Sequence, residues 1–98
     1  MPPVEPTIAI EDRPDEHRYV LLVDGEEAGF IQYRPMEGGL DLVHTVVDDR
    51  FEGRGLAGKL AAGALDDLRR RGLRLKPTCP YLRSWLERHP EYQDLVAP

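Results

Sequence analysis

A glycine-punctuated segment from Arg50 to Lys59 constrains the fold most strongly, because it joins a strand-like sequence to a helical one. Gly53, Gly55 and Gly58 permit unusual backbone angles and let a ligand approach the main chain. After Glu52, the first helical turn has no acid to complement the positive end of the helix dipole. Unpaired N–H groups with cations nearby are the ingredients of a phosphate site. The segment therefore predicts an anion-binding loop that opens a helix.

Apolar periodicity predicts the elements on either side of this loop. The predicted strands are 7–11, 18–23, 28–34, 40–47 and 73–76, and the predicted helices are 54–71 and 81–88, with a last short turn or helix beyond 89. Turn residues predict a hairpin loop at Asp24-Gly25, a second turn over 35–39 and a left-handed helix cap at Gly72. The expected fold is α+β: an antiparallel β meander, a long helix that crosses over to a parallel strand, and short C-terminal helices.

Length and composition restrict the class of protein. The 98 residues suffice for one small domain, expected at 7–98 after a flexible, proline-rich tail at 1–6. The first residues lack the basic and apolar parts of a secretory signal, and no apolar run is long enough to span a bilayer. A net charge of -5 argues against nucleic-acid binding. We expect a cytoplasmic protein that binds neither nucleic acid nor membrane.

The main basic cluster, Arg69 to Arg71, falls at the predicted C-terminal end of the long helix. Arginines there complement the negative end of the helix dipole, and a contact with phosphate is the alternative. Gly53, Gly55 and Gly58 also match G-x-G-x-x-G, but several antiparallel strands precede them and no acid follows on the next strand, which argues against a dinucleotide-binding fold. No Gly-Lys-Ser/Thr follows either, so a Walker A loop is excluded.

Arg50-x-x-Gly53-x-Gly55, between a central strand and a long helix, resembles the R/Q-x-x-G-x-G/A motif of the GCN5-related N-acetyltransferases, the GNAT superfamily. Further blocks resemble its small, single-domain branch: His44-Thr45-x-Val47, the alanine-rich helix, Pro77-x-Cys79-x-Tyr81 and Arg88-His89-Pro90-Glu91-Tyr92. The resemblance covers roughly the last 60 residues.

This resemblance implies an N-acetyltransferase that uses acetyl-coenzyme A (acetyl-CoA) as cosubstrate and needs no metal. It implies that the oxyanion of the reaction is met by a backbone N–H of Val46 or Val47. It also implies that the CoA pyrophosphate is held by the loop, whose residues are Arg50, Phe51, Glu52, Gly53, Arg54, Gly55 and Leu56. Members of the branch often carry an acid between Thr45 and Val47, where this chain has Val46, so the resemblance supplies no general base there.

Acetyl transfer to an amine requires a neutral amine, a stabilised oxyanion and a proton for the departing thiolate. Cys79 is a candidate nucleophile or acid, and equally a small buried hydrophobe. His44 has the pKa range of a base, but strand alternation puts it on the face of Leu42 and Val46, where it is equally a hydrogen-bonded histidine under the sheet. Tyr81 is either a proton donor to the thiolate or a core aromatic residue.

Three scattered histidines and one cysteine lack the spacing of metal ligands. The leading hypothesis is transfer of an acetyl group from acetyl-CoA to a primary amine, either a protein lysine or a small amine. The alternative is a GNAT-like module that binds an acyl-CoA with little or no turnover, and a third possibility is an interaction domain for a phosphorylated partner. We expect a monomer or a weak dimer, in which the edge of the N-terminal hairpin pairs with a second copy.

Overall fold

The computed structural model describes residues 5–98, which form a five-stranded sheet and two α-helices. The strands are β1 (Ile8–Arg13), β2 (Arg18–Val23), β3 (Glu26–Met36), β4 (Gly39–Val47) and β5 (Arg74–Pro77), and the helices are α1 (Leu56–Arg70) and α2 (Pro80–Arg88). The strands lie in chain order, antiparallel from β1 to β4 and parallel between β4 and β5. The predicted α+β meander with one helical crossover is therefore confirmed. Of the tail expected at 1–6, residues 1–4 lie outside the described residues.

The hairpin between β2 and β3 turns at Asp24 and Gly25, as predicted. Both residues have positive φ, 51° and 81°, which matches the right-handed twist of the flanking strands. The second turn is shorter than the expected 35–39, because β3 continues through Pro35 to Met36. A proline is tolerated there because β2 begins only at Arg18, opposite Gln32, so β3 has no β2 partner at Pro35.

Helix α1 packs its apolar stripe on the sheet. The buried side chains of this stripe are Leu56, Leu60, Ala61, Ala64, Leu65 and Leu68, and they join buried residues of β2, β3, β4, β5 and α2 in one core. The helix ends at a left-handed Gly72, with φ 69°, and the N–H of Leu73 donates to the Leu68 carbonyl at 2.9 Å. Neither helix, nor any other in residues 5–98, is long and apolar enough to cross a membrane.

Strands β4 and β5 approach each other closely at Gly39, and their pairing stops well before the end of β4. A Cβ on Gly39 would lie 1.9 Å from the Arg74 carbonyl oxygen, so only glycine permits this approach of the two strands. The pairing stops at Leu42 and Pro77, after which the chain turns into α2 while β4 continues to Val47. The second half of β4 consequently has no strand partner on the β5 side, and a slot opens between β4 and α2.

Candidate functional site

The loop between β4 and α1 is built on a short 3₁₀ turn and two left-handed glycines. The Asp48 carboxylate accepts the Arg50 N–H at 3.0 Å and starts the turn over Asp49–Phe51, whose Phe51 ring is buried. Gly53 and Gly55 follow with φ of 78° and 69°. A side chain disfavours such angles, so the two glycines give the loop its path into the helix.

Backbone N–H groups from Gly53 to Gly58 have no hydrogen-bond acceptor within residues 5–98. The first bond of α1 is donated by Lys59 to the Gly55 carbonyl, at 3.4 Å. The first turn contains no acid and its N-cap, Gly55, offers no side chain, as the sequence indicates. The unpaired run therefore extends past the predicted loop residues to Ala57 and Gly58. Anion binding by this run stays a prediction.

Two arginines flank the loop over the ring of Phe51, with guanidinium carbons 5.3 Å (Arg50) and 5.4 Å (Arg54) from its centroid. Arg50 is committed to carboxylates, Glu26 at 2.8 Å and Asp48 at 3.3 Å, and its hydrogen bonds hold the pKa of Asp48 below its ordinary value. Arg54 forms no ion pair with any described residue. Of the two cations, Arg54 is the one available to a ligand.

A groove of 240 Å³ runs along the loop from β4 to α2. It is lined by Val47, Phe51, Glu52, Gly53, Gly55, Leu56, Ala57, Gly58 and Tyr81. The unpaired N–H groups of the loop thus border a groove whose other end leads to the slot between β4 and α2.

A bulge in β4 decides which backbone groups face this slot. Tyr33 on β3 lies opposite Leu42 but Gln32 lies opposite His44, so Val43 is an extra residue on β4. A bulge of this kind breaks the alternation of side chains and of N–H directions along a strand. The predicted placement of His44 on the face of Leu42 is therefore wrong: Leu42 is fully buried and His44 is exposed.

Beyond the bulge, the direction of each N–H group along β4 follows from one hydrogen bond. The Asp48 N–H donates to the Ala28 carbonyl on the β3 side at 2.7 Å. Because alternate residues of an antiparallel strand bond to the same neighbour, Val46 also directs its N–H towards β3. Thr45 and Val47 direct theirs to the opposite side, into the slot that β5 leaves open. Of the two predicted oxyanion donors, Val47 directs its N–H into the slot, and so does Thr45, which the sequence analysis did not name; an oxyanion contact at either position stays a prediction.

Cys79 closes the inner end of the slot. Its N–H donates to the Leu42 carbonyl at 2.9 Å, the residue as a whole is 3% exposed, and it is the N-cap of α2. The Cys79 Sγ lies 3.4 Å from the Thr45 Oγ1. This contact joins two residues that are far apart in sequence, and the thiol has no charged hydrogen-bond partner among the described residues.

Tyr81 lies two residues after Cys79, in the first turn of α2, where it lines the groove and is half-buried. Burial raises the pKa of its phenol, the nearby Cys79 acts in the same direction, and Arg88 opposes both. Tyr81 therefore holds its proton at neutral pH, and its role as a proton donor stays a prediction. His44 lies on the other face of the sheet, without a side-chain hydrogen bond to any described residue.

The structure thus brings most of the predicted site residues together. Val47, Tyr81 and most of the loop residues line one groove, and Cys79 lies beside the slot at the N-cap of α2, whereas the side chains of His44 and Val46 lie on the opposite sheet face. Residues 5–98 contain no group of three or more His, Cys, Asp or Glu that is placed to hold a metal ion.

Comparison with known proteins gives a consistent result. A family model described as GCN5-related N-acetyl-transferase matches residues 18–95. Protein NATD1 of Bos taurus is 38% identical over 61 residues, which are 60% of this chain and 54% of that protein. Protein NATD1 of Homo sapiens is 36% identical over a segment of the same length, again 54% of that protein. The chain thus matches just over half the length of these curated relatives.

The fold also matches a solved structure. The solution structure of a GCN5-like protein from Staphylococcus aureus superposes with a TM-score of 0.68 and covers 91% of this chain and 87% of that one. At 23% sequence identity, this likeness supports the fold alone.

Proposed function

Because the chain belongs to the GCN5-related N-acetyltransferase family, we propose that it transfers the acetyl group of acetyl-CoA to a primary amine. One observation carries the proposal: the unpaired N–H groups from Gly53 to Gly58 border a groove that leads to the slot beside Cys79. Acetyl-CoA has three parts in the same order as the loop, the groove and the slot: a doubly charged pyrophosphate, a narrow arm and a thioester.

The pyrophosphate binds at the loop. Backbone N–H groups at a helix start carry partial positive charge, and the absence of an acid in the first turn leaves this charge for a ligand. Arg54 adds a full positive charge beside them. The narrow arm then lies along the groove past Leu56 and Tyr81, and the thioester reaches the slot between β4 and α2.

The reaction proceeds by direct attack of the amine on the thioester carbonyl. A C–N bond forms, and the oxyanion accepts a hydrogen bond from the N–H of Val47 or from that of Thr45, neither of which has another acceptor within residues 5–98. The C–S bond then breaks and the CoA thiolate takes a proton from Tyr81, with the Cys79 thiol as the second candidate. The amine loses its proton to His44 or to water on the open sheet face.

Replacement of Gly53 by valine tests the site. A Cβ at this position meets no atom within 4 Å, so the expected effects are strain at φ 78° and loss of close approach by the pyrophosphate. Calorimetry with CoA should show at least about a hundredfold loss of affinity, the effect of about two charge-assisted hydrogen bonds.

Gly25 provides a matched control, because its φ is 81° and a Cβ there also meets no atom within 4 Å. Gly25→Val introduces the same backbone strain into the β2–β3 turn and should leave CoA affinity unchanged in the folded protein. Unchanged affinity of Gly53→Val, or an equal loss in both variants, would contradict the proposed pyrophosphate site.

A second candidate function is an acyl-CoA-binding module with little turnover. Two observations within residues 5–98 favour it: His44 makes no hydrogen bond there that would orient it as a base, and Cys79 has no charged partner there to activate its thiol. Val46 stands where relatives of the small branch often carry an acid.

Release of free CoA thiol from acetyl-CoA separates the two functions. Wild-type protein and Cys79→Ala are assayed with lysine peptides, polyamines and small amino metabolites. Amine-dependent release that survives Cys79→Ala supports direct transfer, and release lost in Cys79→Ala but retained in Tyr81→Phe supports a cysteine step. Tight binding of acetyl-CoA without release supports the binding module.

A further inference from the structure

Asp41 is the one charged residue that is buried among residues 5–98, with 8% of its surface exposed. It lies on β4, one residue before the pairing with β5 stops, and on the sheet face opposite to that of the buried Leu40 and Leu42. Burial of a carboxylate costs free energy unless hydrogen bonds replace those it made with water. The partners of Asp41 therefore indicate why an acid occupies this position.

The Asp41 carboxylate binds two side chains from the neighbouring strands. The Thr78 hydroxyl donates to Asp41 Oδ1, and the Arg34 guanidinium donates to Asp41 Oδ2 at 3.3 Å. The Arg34 side chain is 70% exposed, so water competes with this second bond and it contributes little. Lys76 lies directly opposite Asp41 on β5, yet it forms no ion pair with a described residue. The principal partner of the buried carboxylate is therefore Thr78.

Thr78 lies in the segment 77–79, which connects β5 to α2. The strand pairing ends at Pro77, and Cys79 is already the N-cap of α2 at the inner end of the slot. Two side-chain contacts connect this segment to β4: Thr78 with Asp41, and Cys79 with Thr45. The contact with Asp41 is the stronger of the two, because its acceptor is charged.

We propose that the hydrogen bond from Thr78 to Asp41 sets the width of the slot, and that both are positioning residues for the reaction there; the second part rests on the proposed function. The bond holds the segment 77–79 against β4, and with it the start of α2, which forms the far wall of the slot. Without the hydroxyl, this wall is free to move away from β4. The thioester then loses its fixed distance from the N–H groups of β4, whereas the pyrophosphate still binds at the loop.

Alkylation of Cys79 by iodoacetamide, followed by mass spectrometry, measures the opening of the slot independently of activity. The chain has one cysteine, and its buried thiol becomes accessible when the segment 77–79 moves away from β4. Thr78→Val keeps nearly the same volume without the hydroxyl. It should accelerate alkylation at least about tenfold, the effect of one hydrogen bond to a charged group. Thr78→Ser keeps the hydroxyl and should react at the wild-type rate.

Two controls separate this local opening from other effects. Thr7→Val makes the same change at an exposed threonine whose hydroxyl has no hydrogen bond to a described residue. Asp67→Ala removes the acceptor of the Tyr19 hydroxyl near the end of α1 and so lowers the overall stability. In both variants Cys79 should react at the wild-type rate. Equal acceleration in Thr78→Val and Asp67→Ala would indicate global unfolding and overturn the proposal, as would an unchanged rate in Thr78→Val.

The positioning role predicts a difference between turnover and binding. In Thr78→Val, kcat for release of CoA thiol should fall about tenfold while the Kd for CoA, measured by calorimetry, stays unchanged, and Thr78→Ser should retain the wild-type kcat. An unchanged kcat, or an equal loss of CoA affinity, would overturn the positioning role. Wild-type protein that releases no CoA with any amine would overturn the proposed transfer and this role with it, whereas alkylation would still decide whether the hydrogen bond sets the width of the slot.

Discussion

The two ends of helix α1 differ in almost every respect. At its start, backbone N–H groups from Gly53 to Gly58 have no acceptor within residues 5–98 and no acid compensates the dipole. At its end, the left-handed Gly72 caps the helix, and Arg69 pairs with Asp94 at 2.8 Å. We call the start of the helix the open end, because its N–H groups have no partners within residues 5–98. We call the other the closed end, because hydrogen bonds and ion pairs satisfy its polar groups.

The closed end also ties the helix to the sheet through a polar cluster. The Tyr19 hydroxyl donates to Asp67 at 2.6 Å, and the Tyr33 hydroxyl donates to Asp12 at 2.6 Å. Arg71 bridges both carboxylates, at 2.9 Å from Asp12 and 3.2 Å from Asp67. Each hydroxyl and carboxylate in the cluster therefore has a partner.

The two ends of the helix thus separate folding stability from the proposed ligand binding. Satisfied polar groups at the closed end contribute to folding, whereas unsatisfied groups at the open end leave a free energy that a ligand can recover. The arginines at 69–71, for which the sequence left a phosphate contact as the alternative, lie at the closed end and are engaged by carboxylates.

The largest expected effect comes from opening the closed end. Asp67→Ala removes the acceptor of Tyr19 and one partner of Arg71, and should lower the free energy of unfolding by about 2 kcal/mol. Urea denaturation measures the loss. CoA affinity of the folded protein should not change, because the cluster lies at the other end of the helix from the loop.

Asp15→Ala is the control for this variant, because Asp15 is exposed and its carboxylate has no hydrogen bond to a described residue. Its effect on stability should stay within about 0.5 kcal/mol. A fall in CoA affinity in Asp67→Ala, with stability unchanged, would reverse the assignment of the two ends.

The second prediction adds an acid to the open end, where it would compensate the helix dipole. Ala57 is the second residue of α1, where an acid complements the dipole, so Ala57→Glu should stabilise the fold by about 0.5 kcal/mol. The same carboxylate repels the pyrophosphate and should weaken CoA binding by about tenfold or more, equivalent to about 1.4 kcal/mol. Thermal unfolding and calorimetry on the same sample test the two effects.

Ala57→Gln separates charge from size, because glutamine has nearly the same volume and no charge. It should retain most of the CoA affinity. Equal losses of affinity in Ala57→Glu and Ala57→Gln would indicate a steric effect and would remove the electrostatic contrast between the two ends.

The smallest expected effect is a loss of stability at the closed end under alkaline conditions. No such loss is expected at neutral pH. Burial, followed by the hydrogen bond to Asp67, raises the pKa of Tyr19, and burial with the hydrogen bond to Asp12 raises the pKa of Tyr33. A raised pKa in the folded state contributes stability below pH of about 10, and this stability is lost as the pH rises further, because the unfolded chain ionises first.

Urea midpoints at pH 8 and pH 10.5 measure this loss in the wild-type protein and in Tyr19→Phe. The loss of stability between the two pH values should be smaller in Tyr19→Phe, since one of the phenols with a raised pKa is gone. An identical loss in both proteins would exclude Tyr19 as the source.

Sequence reasoning found the fold and the open end of α1 because both depend on local signals. The Asp24-Gly25 pair specifies its turn through positive φ, and the missing acid after Glu52 is visible in the sequence itself. The extent of β3 was less predictable, because Pro35 is a turn signal in the sequence. The strand continues through it only because no β2 residue pairs with β3 at that position.

The slot was harder to predict because it depends on contacts between distant segments. The bulge at Val43 leaves no mark in composition, yet it reverses the face on which His44 lies and turns the N–H of Thr45 towards the slot. The contact between Thr45 and Cys79 joins β4 to the start of α2, and no periodicity within either segment predicts it. Residues that depend on register therefore required the structure.

The early end of the β4–β5 pairing has a consequence for amide hydrogen exchange. Amides in the middle strands of a sheet are normally among the slowest in a domain to exchange with solvent, since each is hydrogen-bonded to a neighbour. Thr45 and Val47 lie within a strand that has neighbours on both sides, yet their N–H groups face the slot. Under the proposed function, deuterium uptake at these two backbone positions should therefore fall when acetyl-CoA binds, while the other amides of the sheet should exchange as before.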